Sequence, residues 1–110
     1  MNPDPEHLEQ WAEEEIQRLR TALPQEIRER LGDLTILFEE EPNAPQLADG
    51  VEPDTLGLFE GPDLLEEGNG TLPPRMTLFL RNLWEEAGGN PHRFREEIRR
   101  TFLHELGHYL

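Results

Sequence analysis

The sequence predicts an α+β fold with an N-terminal helix, a small sheet of three to four strands, and a C-terminal helix. Apolar residues recur at helical spacing near both ends of the chain, and three short runs rich in β-branched or aromatic residues lie between them. Clusters of Gly, Pro, Asn and Asp separate these segments. With 110 residues, the chain is expected to form a single domain over residues 1–110.

The first element is predicted as an amphipathic helix from about Asp4 to Leu23. Asp4 followed by Pro5 is a suitable N-cap and first turn, and Pro24 ends the run. A short helical turn is expected from Gln25 to Leu31. The residues that share the apolar face of the first helix are Leu8, Trp11, Ala12, Ile16, Leu19 and Leu23.

Three strands are predicted next, at Leu34 to Phe38, Leu56 to Glu60 and Met76 to Arg81, with an extension of the third through Trp84 left open. The Pro, Asn, Gly and Asp content of Asn43 to Asp54 and of Asp63 to Pro74 predicts loops. Asn90 as cap and Pro91 as first residue then begin a final helix, which is expected to run to Leu110.

The charge of the chain excludes some classes of partner. It has 24 acidic and 10 basic residues and a formal net charge of −14, which repels polyphosphate, so we expect neither nucleic acid nor a membrane surface as partner. Cysteine is absent, so a transition metal would have to be held by His and carboxylate side chains. The lack of a signal-type apolar segment or a long apolar run predicts a cytoplasmic protein.

The segment HELGH, from His104 to His108, is the motif that carries chemistry. Two histidines four residues apart lie on the same face of a helix and can share one metal ion. The carboxylate that follows the first histidine, Glu105, is then placed to act as general base toward a water molecule that zinc activates. The pattern predicts a zinc site with His104 and His108 as ligands.

The helical periodicity of the C-terminal segment supports this interpretation. Its apolar residues fall on one broad side of the helix, and the two histidines fall on roughly the opposite side, so the core and the metal ligands do not compete. Gly107 indicates either close approach of another backbone or simple tolerance near the chain end. The residues predicted on the apolar side are Ile98, Phe102, Leu106, Tyr109 and Leu110.

The segments RMTLFLRNLWEEAG and REEIRRTFLHELGHYL make the last third of the chain resemble the small bacterial zincin-like metallopeptidases, sometimes described as minimal metalloproteases. The resemblance extends over nearly the whole chain, because the predicted elements follow in a similar order: LPQEIRERLGDLTILFEEEP comes after the first helix, and LGLFEG comes before the loop. The resemblance implies a zinc-dependent peptidase with His104 and His108 on the metal and Glu105 as catalytic base. It also implies an extended peptide or unfolded protein as substrate, paired with the strand Met76 to Arg81.

One departure from the family concerns the third zinc ligand. The family pattern continues His-x-x-Gly-x-x-Asp, with the aspartate on the metal, whereas this sequence stops two residues after His108. We therefore expect that the chain lacks its natural C-terminal segment. The alternative is a ligand from elsewhere in the chain, and glutamates at strand ends are the candidates, Glu60 and Glu39 to Glu41. His92 and Glu97 precede His104 on the same helix by about 18 Å and about 10 Å, too far to share its metal ion, and His7 is expected to be exposed.

Two other functions remain open from the sequence. One is a metal-binding protein that has lost catalysis, and the other is an acidic interaction module whose histidines have no chemical role. A di-iron site is set aside because it needs a second Glu-x-x-His pair and further helical glutamates in a four-helix bundle. The oligomeric state and the cleavage preference are not predicted.

Overall fold

The computed structural model of the protein describes residues 2–61 and 73–110, so most of the loop predicted at Asp63 to Pro74 lies outside the described residues. The elements follow the predicted α+β pattern, which is confirmed. In chain order they are α1 (Pro5–Ala22), α2 (Gln25–Arg30), a 3-10 turn (Leu31–Asp33), β1 (Thr35–Glu39), α3 (Ala44–Ala48), β2 (Gly57–Glu60), β3 (Arg75–Phe79), α4 (Leu80–Glu86) and α5 (Pro91–Tyr109).

The first helix begins and ends where its capping residues predict. The side chain of Asp4 accepts a hydrogen bond from the backbone N–H of His7, and Pro5 occupies the first turn. Leu23, just before Pro24, is the C-cap, and its N–H donates to carbonyls of the last turn. Local sequence therefore determines both ends of α1.

The sheet of the described residues has three strands in the order β1-β3-β2. Strand β3 lies in the centre, parallel to β1 and antiparallel to β2. In the register, Ile36 faces Met76 across the parallel pair, and Gly57 faces Leu78 across the antiparallel pair. Because β3 is paired on both sides and covered on both faces, its residues from Met76 to Phe79 are all buried.

Helices α1, α4 and α5 pack against one another, and α5 also packs on β2 and β3. Their apolar faces and one face of the sheet form a single core. The buried members of that core are Leu8, Ala12, Ile16, Leu31, Leu34, Met76, Leu78, Leu80, Leu83, Trp84, Ala87, Phe94, Ile98, Phe102, Leu106 and Tyr109. The predicted apolar side of α5 is confirmed except for Leu110, which follows the helix and is 47% exposed.

The extension of the third strand through Trp84 was a wrong prediction, because the strand ends at Phe79 and the chain turns directly into α4. Leu80, Leu83, Trp84 and Ala87 are buried at three-and-four spacing, which a helix satisfies and a strand does not. The N–H of Arg81, in the first turn of α4, donates to the carbonyl of Glu40 at 3.0 Å. This bond joins α4 to the end of β1.

The segment predicted as a loop at Asn43 to Asp54 contains the short helix α3. Asn43 and Gln46 form a capping box, in which each side chain accepts a hydrogen bond from the other residue's backbone N–H at 2.9 Å. Pro45 lies in the first turn, where its missing N–H costs no hydrogen bond. The polar composition that predicted a loop is here the composition of a helix start.

A buried carboxylate links the first and last helices. Glu15 of α1 is only 1% exposed, and its Oε1 accepts hydrogen bonds from Arg18 at 2.7 Å and from Arg95 of α5 at 3.3 Å. Arg95 also donates to Glu14 at 2.8 Å. A buried charge is tolerated only when it is paired, and these arginines provide the pairing at the contact between α1 and α5.

Candidate metal centre

The helix that carries the HELGH segment is anchored at both ends. Asn90 caps the N-terminus by accepting from the N–H of Arg93 at 3.0 Å. Tyr109, in the last turn, is fully buried, and its hydroxyl donates to the carbonyl of Arg30 at 3.0 Å. Its ring also contacts that of Phe59, with centroids 5.7 Å apart. These contacts hold the turn that includes His108 against the body of the protein.

His104, Glu105 and His108 lie close together in the last turns of α5. Their ligand atoms are all within 4.8 Å of one another, and the two imidazole rings have centroids 5.4 Å apart. Nε2 of His108 is 3.8 Å from Oε2 of Glu105. Both histidines are exposed, whereas the Glu105 side chain is 13% exposed. The helix therefore presents two imidazoles to solvent beside one largely buried carboxylate.

The carboxylate of Glu105 faces strand β2. Burial raises the pKa of this carboxyl above the ordinary value. His108, His104 and the Phe59 N–H act in the opposite direction, since each stabilises the ionised form. A raised pKa is the usual adjustment of a carboxylate that accepts protons near neutral pH.

The group has the donor types and the openness that zinc requires. Zinc binds imidazole nitrogen at about 2.0–2.1 Å, so two ligand atoms on one ion lie at most about 4.2 Å apart. The ligand atoms of the group lie within 4.8 Å of one another, an upper limit close to that separation. Both histidines are exposed, so their side chains are free to rotate toward a shared ion. The residues fit a zinc ion held by two imidazoles.

Among residues 2–61 and 73–110, only Glu105 joins the two histidines in a possible metal-binding group. Two of the glutamates proposed from the sequence form ion pairs instead, since Glu60 contacts Arg75 at 3.3 Å and Glu40 contacts Arg81 at 3.2 Å. Glu97 is likewise paired, with Arg100 at 2.8 Å. The third ligand therefore does not come from these paired glutamates.

The remaining histidines lie outside the site. His7 is 61% exposed and lies 3.4 Å from Asp4, as expected for a surface residue of α1. His92 is 80% exposed and contacts Glu96 at 2.8 Å. For Gly107, between the two candidate ligands, no atom of the described residues outside its own stretch of helix lies within 4 Å of an added Cβ, so this glycine is explained by tolerance and not by close approach.

A protein-family model described as zincin-like metallopeptidase matches residues 31–110. The chain belongs to the zincin-like metallopeptidase family. The match covers the sheet and α5 with its HELGH segment, so the resemblance drawn from those segments is confirmed. No curated protein matches this zincin-like chain. In the described part of the chain, no helix combines the length and the apolar character that crossing a membrane requires.

The strand expected to pair with substrate is not an edge strand in this zincin-like domain. Strand β3, which carries most of the predicted segment Met76 to Arg81, is already paired on both sides. Within the described residues, the edge nearest the site belongs to β2, which packs against α5. The expectation that Met76 to Arg81 forms an edge strand open to substrate was therefore wrong. The order of strands in a sheet cannot be read from a single alternating segment.

Two residues of β2 that touch Glu105 were not singled out from the sequence. The N–H of Phe59 stabilises its ionised carboxylate, and Gly57 lies against its side-chain stem. A glycine inside a predicted strand is a known signal of close backbone approach, and LGLFE contains one. The effect of the Phe59 backbone N–H cannot be read from the side chains of the sequence.

Proposed function

We propose that the protein is a zinc-dependent peptidase in which His104 and His108 bind the metal and Glu105 acts as general base. The observation that carries this proposal is the group itself: two exposed imidazoles and a carboxylate with a raised pKa, all within 4.8 Å, on a helix that the family model includes. The three side chains divide into two exposed ligands and one largely buried base, which is the division that the chemistry needs.

Zinc bound here would act as a Lewis acid and lower the pKa of a coordinated water molecule to about 7. The protein's own contribution is the orientation of the carboxylate. An oxygen of Glu105 takes a proton from the attacking water and returns it to the leaving amine, so the same side chain serves as base and then as acid. The N–H of Phe59 supports this role because it stabilises the ionised carboxylate, the form that accepts a proton.

We further propose that an extended peptide pairs with the outer edge of β2. The N–H of Phe79 donates to the carbonyl of Leu56, and in an antiparallel ladder this makes Leu58 the next residue bonded to β3. The backbone groups of Gly57 and the carbonyl of Phe59 then face outward from the sheet, whereas the N–H of Phe59 is directed at Glu105 and does not pair with the peptide. A peptide added at this edge would lie beside the metal ligands, and the exposure of the site suits unfolded or peptide substrates.

A second function is favoured by one specific observation. A catalytic zinc normally has three protein ligands and a water molecule, and no third ligand accompanies the histidines among residues 2–61 and 73–110. A metal-binding protein without hydrolytic activity is therefore the alternative. It shares the ligands His104 and His108 and gives Glu105 no role in chemistry.

The variant Glu105→Gln separates the two functions. Glutamine keeps the size of the side chain and a carbonyl oxygen, but it cannot take a proton from the attacking water. The peptidase proposal predicts that this variant binds zinc as the wild type does and loses hydrolysis of an unfolded protein, by roughly 10²-fold or more. Hydrolysis should be followed by new amino groups in zinc-supplemented and chelator-treated samples.

A matched control for that experiment is Glu97→Gln, which removes a carboxylate from the same helix that is paired with Arg100 instead of facing β2. It is expected to hydrolyse as the wild type does. If Glu105→Gln and Glu97→Gln show the same zinc-dependent hydrolysis as the wild type, the role of Glu105 is refuted. If no form hydrolyses but all bind zinc, the metal-binding alternative is favoured.

A further inference from the structure

Gly57 lies where strand β2 and helix α5 approach each other most closely around Glu105. A Cβ atom added to Gly57 would be 2.6 Å from Cγ2 of Thr101, 3.2 Å from Cγ of Glu105 and 3.4 Å from Cδ2 of Leu78. A carbon contact of 2.6 Å is well inside van der Waals separation. Only glycine, at this position, allows the strand and helix to pack at the observed distance.

The requirement for glycine here is one of space and not of backbone conformation. Gly57 is paired within β2, opposite Leu78. The glycines of the described residues that have a positive φ are Gly50, Gly61, Gly88 and Gly89, and Gly57 is not among them. Glycine is therefore required because side chains of α5 occupy the space that its Cβ would need.

Glu105 meets the same strand along its length. Its stem lies beside Gly57, where an added Cβ would be 3.2 Å from Cγ of Glu105, and its ionised carboxylate is stabilised by the N–H of Phe59, two residues further along β2. Residues two apart in a strand face the same way, so one short stretch of edge backbone supports the whole side chain. Thr101, one turn before Glu105 on α5 and 7% exposed, packs against Gly57 as well and sets the helix distance.

We propose that Gly57 is a positioning residue for Glu105, because its missing side chain leaves room for the stem of Glu105 against β2 and so sets where the carboxylate lies. This inference rests on the proposed role of Glu105 as general base. It assigns to β2 a second task beside substrate pairing, namely fixing the direction of the base relative to His104 and His108. A displacement of about 1 Å in a catalytic group can reduce the rate by as much as roughly 10²-fold.

The experiment must separate the position of Glu105 from simple packing between β2 and α5. The methyl group of Gly57→Ala would lie too close both to Cγ2 of Thr101, at 2.6 Å, and to Cγ of Glu105, at 3.2 Å. Thr101→Ser removes Cγ2 and with it the closer of these two contacts. The double variant Gly57→Ala, Thr101→Ser therefore restores the space for the helix while leaving the added methyl group against Cγ of Glu105. Gly32→Ala is the matched control, since no atom lies within 4 Å of its added Cβ and it is remote in sequence from the site.

Two readouts are required for each variant, the melting temperature of the metal-free chain and the amide resonance of Phe59 in a ¹⁵N correlation spectrum. We expect the double variant to regain most of the melting temperature lost in Gly57→Ala. Its Phe59 amide should nevertheless shift toward the position found in Glu105→Ala. Where hydrolysis is measurable, kcat should stay reduced by on the order of 10-fold to 100-fold with KM little changed.

The inference is overturned if the double variant recovers the wild-type Phe59 resonance together with the melting temperature, because Gly57 would then serve packing alone. The resonance can be read without hydrolysis, so this result is distinct from failure of the peptidase proposal. A chain in which no variant hydrolyses, but in which the Phe59 amide responds to Gly57→Ala, Thr101→Ser as to Glu105→Ala, supports the positioning of the carboxylate.

Discussion

Gly57 of strand β2 and Glu105 of helix α5 pack against each other, since a Cβ added to Gly57 would lie 3.2 Å from Cγ of Glu105. The candidate base is therefore largely buried beside the sheet, while His104 and His108 project from the same helix into solvent. The N–H of Phe59 stabilises the ionised carboxylate of Glu105 but only partly offsets the cost of burying a charged group.

Glu105→Gln should make the metal-free protein more stable at neutral pH. Burial raises the pKa of the Glu105 carboxyl in the folded state, so the folded chain binds a proton more tightly than the unfolded chain does. Wild-type stability therefore falls as the pH rises from the ordinary carboxyl pKa through the raised one, and it stays lower above that window. The stability of Glu105→Gln should not show this decrease with rising pH, because glutamine does not ionise. Thermal unfolding of both proteins at a series of pH values, with a chelator present, tests the prediction.

The expected rise in melting temperature is a few degrees, since about 1 kcal/mol corresponds to roughly 4–8 °C in a domain of this size. Glu13→Gln, at an exposed position of α1, provides the control for loss of one negative charge. An identical change in melting temperature for both variants across the pH series would show that general charge repulsion, and not burial of Glu105, is responsible.

Arg95→Met should destabilise the fold without changing zinc binding. Arg95 donates to the buried Glu15 at 3.3 Å and to Glu14 at 2.8 Å, so its loss leaves a buried carboxylate with fewer partners. We expect a loss of about 1–3 kcal/mol in the free energy of unfolding, the usual cost of leaving a buried polar group short of hydrogen bonds. Urea unfolding measures it.

Arg93→Met is the comparison for that variant, because Arg93 is exposed on the same helix. Equal losses for the two arginine variants would contradict the importance of the Glu15 contact. Weakened zinc binding in Arg95→Met would instead show that the packing of α1 on α5 extends its influence to the metal site.

Peptide binding should perturb β2 and not the other outer strand. In the zinc-loaded Glu105→Gln variant, which keeps peptide uncleaved, the amide resonance of Gly57 should shift more than that of Leu58, whose backbone groups face β3. Titration of a ¹⁵N-labelled sample with an extended peptide provides the measurement. Shifts concentrated in β1, around Ile36, would place the substrate at the opposite edge and refute the proposal.

Completing the family pattern His-x-x-Gly-x-x-Asp after Leu110 should tighten zinc binding by roughly an order of magnitude or more, because catalytic zinc sites take three protein ligands. The added aspartate would supply the ligand that does not accompany the histidines in residues 2–61 and 73–110. The control is the same extension with asparagine in place of the aspartate. If the two extended chains bind zinc with equal affinity, the added carboxylate is not a ligand.

Much of the site was predictable because it is local. The positions of His104, Glu105 and His108 relative to one another follow from helical geometry, and the exposure of the histidines follows from the apolar periodicity of α5. The caps Asp4 and Asn90 likewise determine the starts of the two long helices through hydrogen bonds to residues three positions later. These features depend on neighbours that the sequence displays.

The errors concern long-range pairing and overlapping signals. The central position of β3 depends on which strands it meets, and a single alternating segment does not contain that information. The turn from strand to helix after Phe79 was missed because Leu80 continues the strand pattern while also starting the helical one. The contact of Gly57 with Thr101 joins residues far apart in the chain, so only the glycine inside a strand pointed to it.

The most direct test of the metal site is a zinc titration by isothermal calorimetry of the wild type, His104→Ala and His92→Ala. The site is expected to bind one zinc ion per chain in the wild type and in His92→Ala, whose histidine is exposed and paired with Glu96. That binding should be lost in His104→Ala, because a single remaining imidazole does not hold the ion at this position. A titration curve for His104→Ala that matches the wild type would contradict the assignment of His104 and His108 as the zinc ligands.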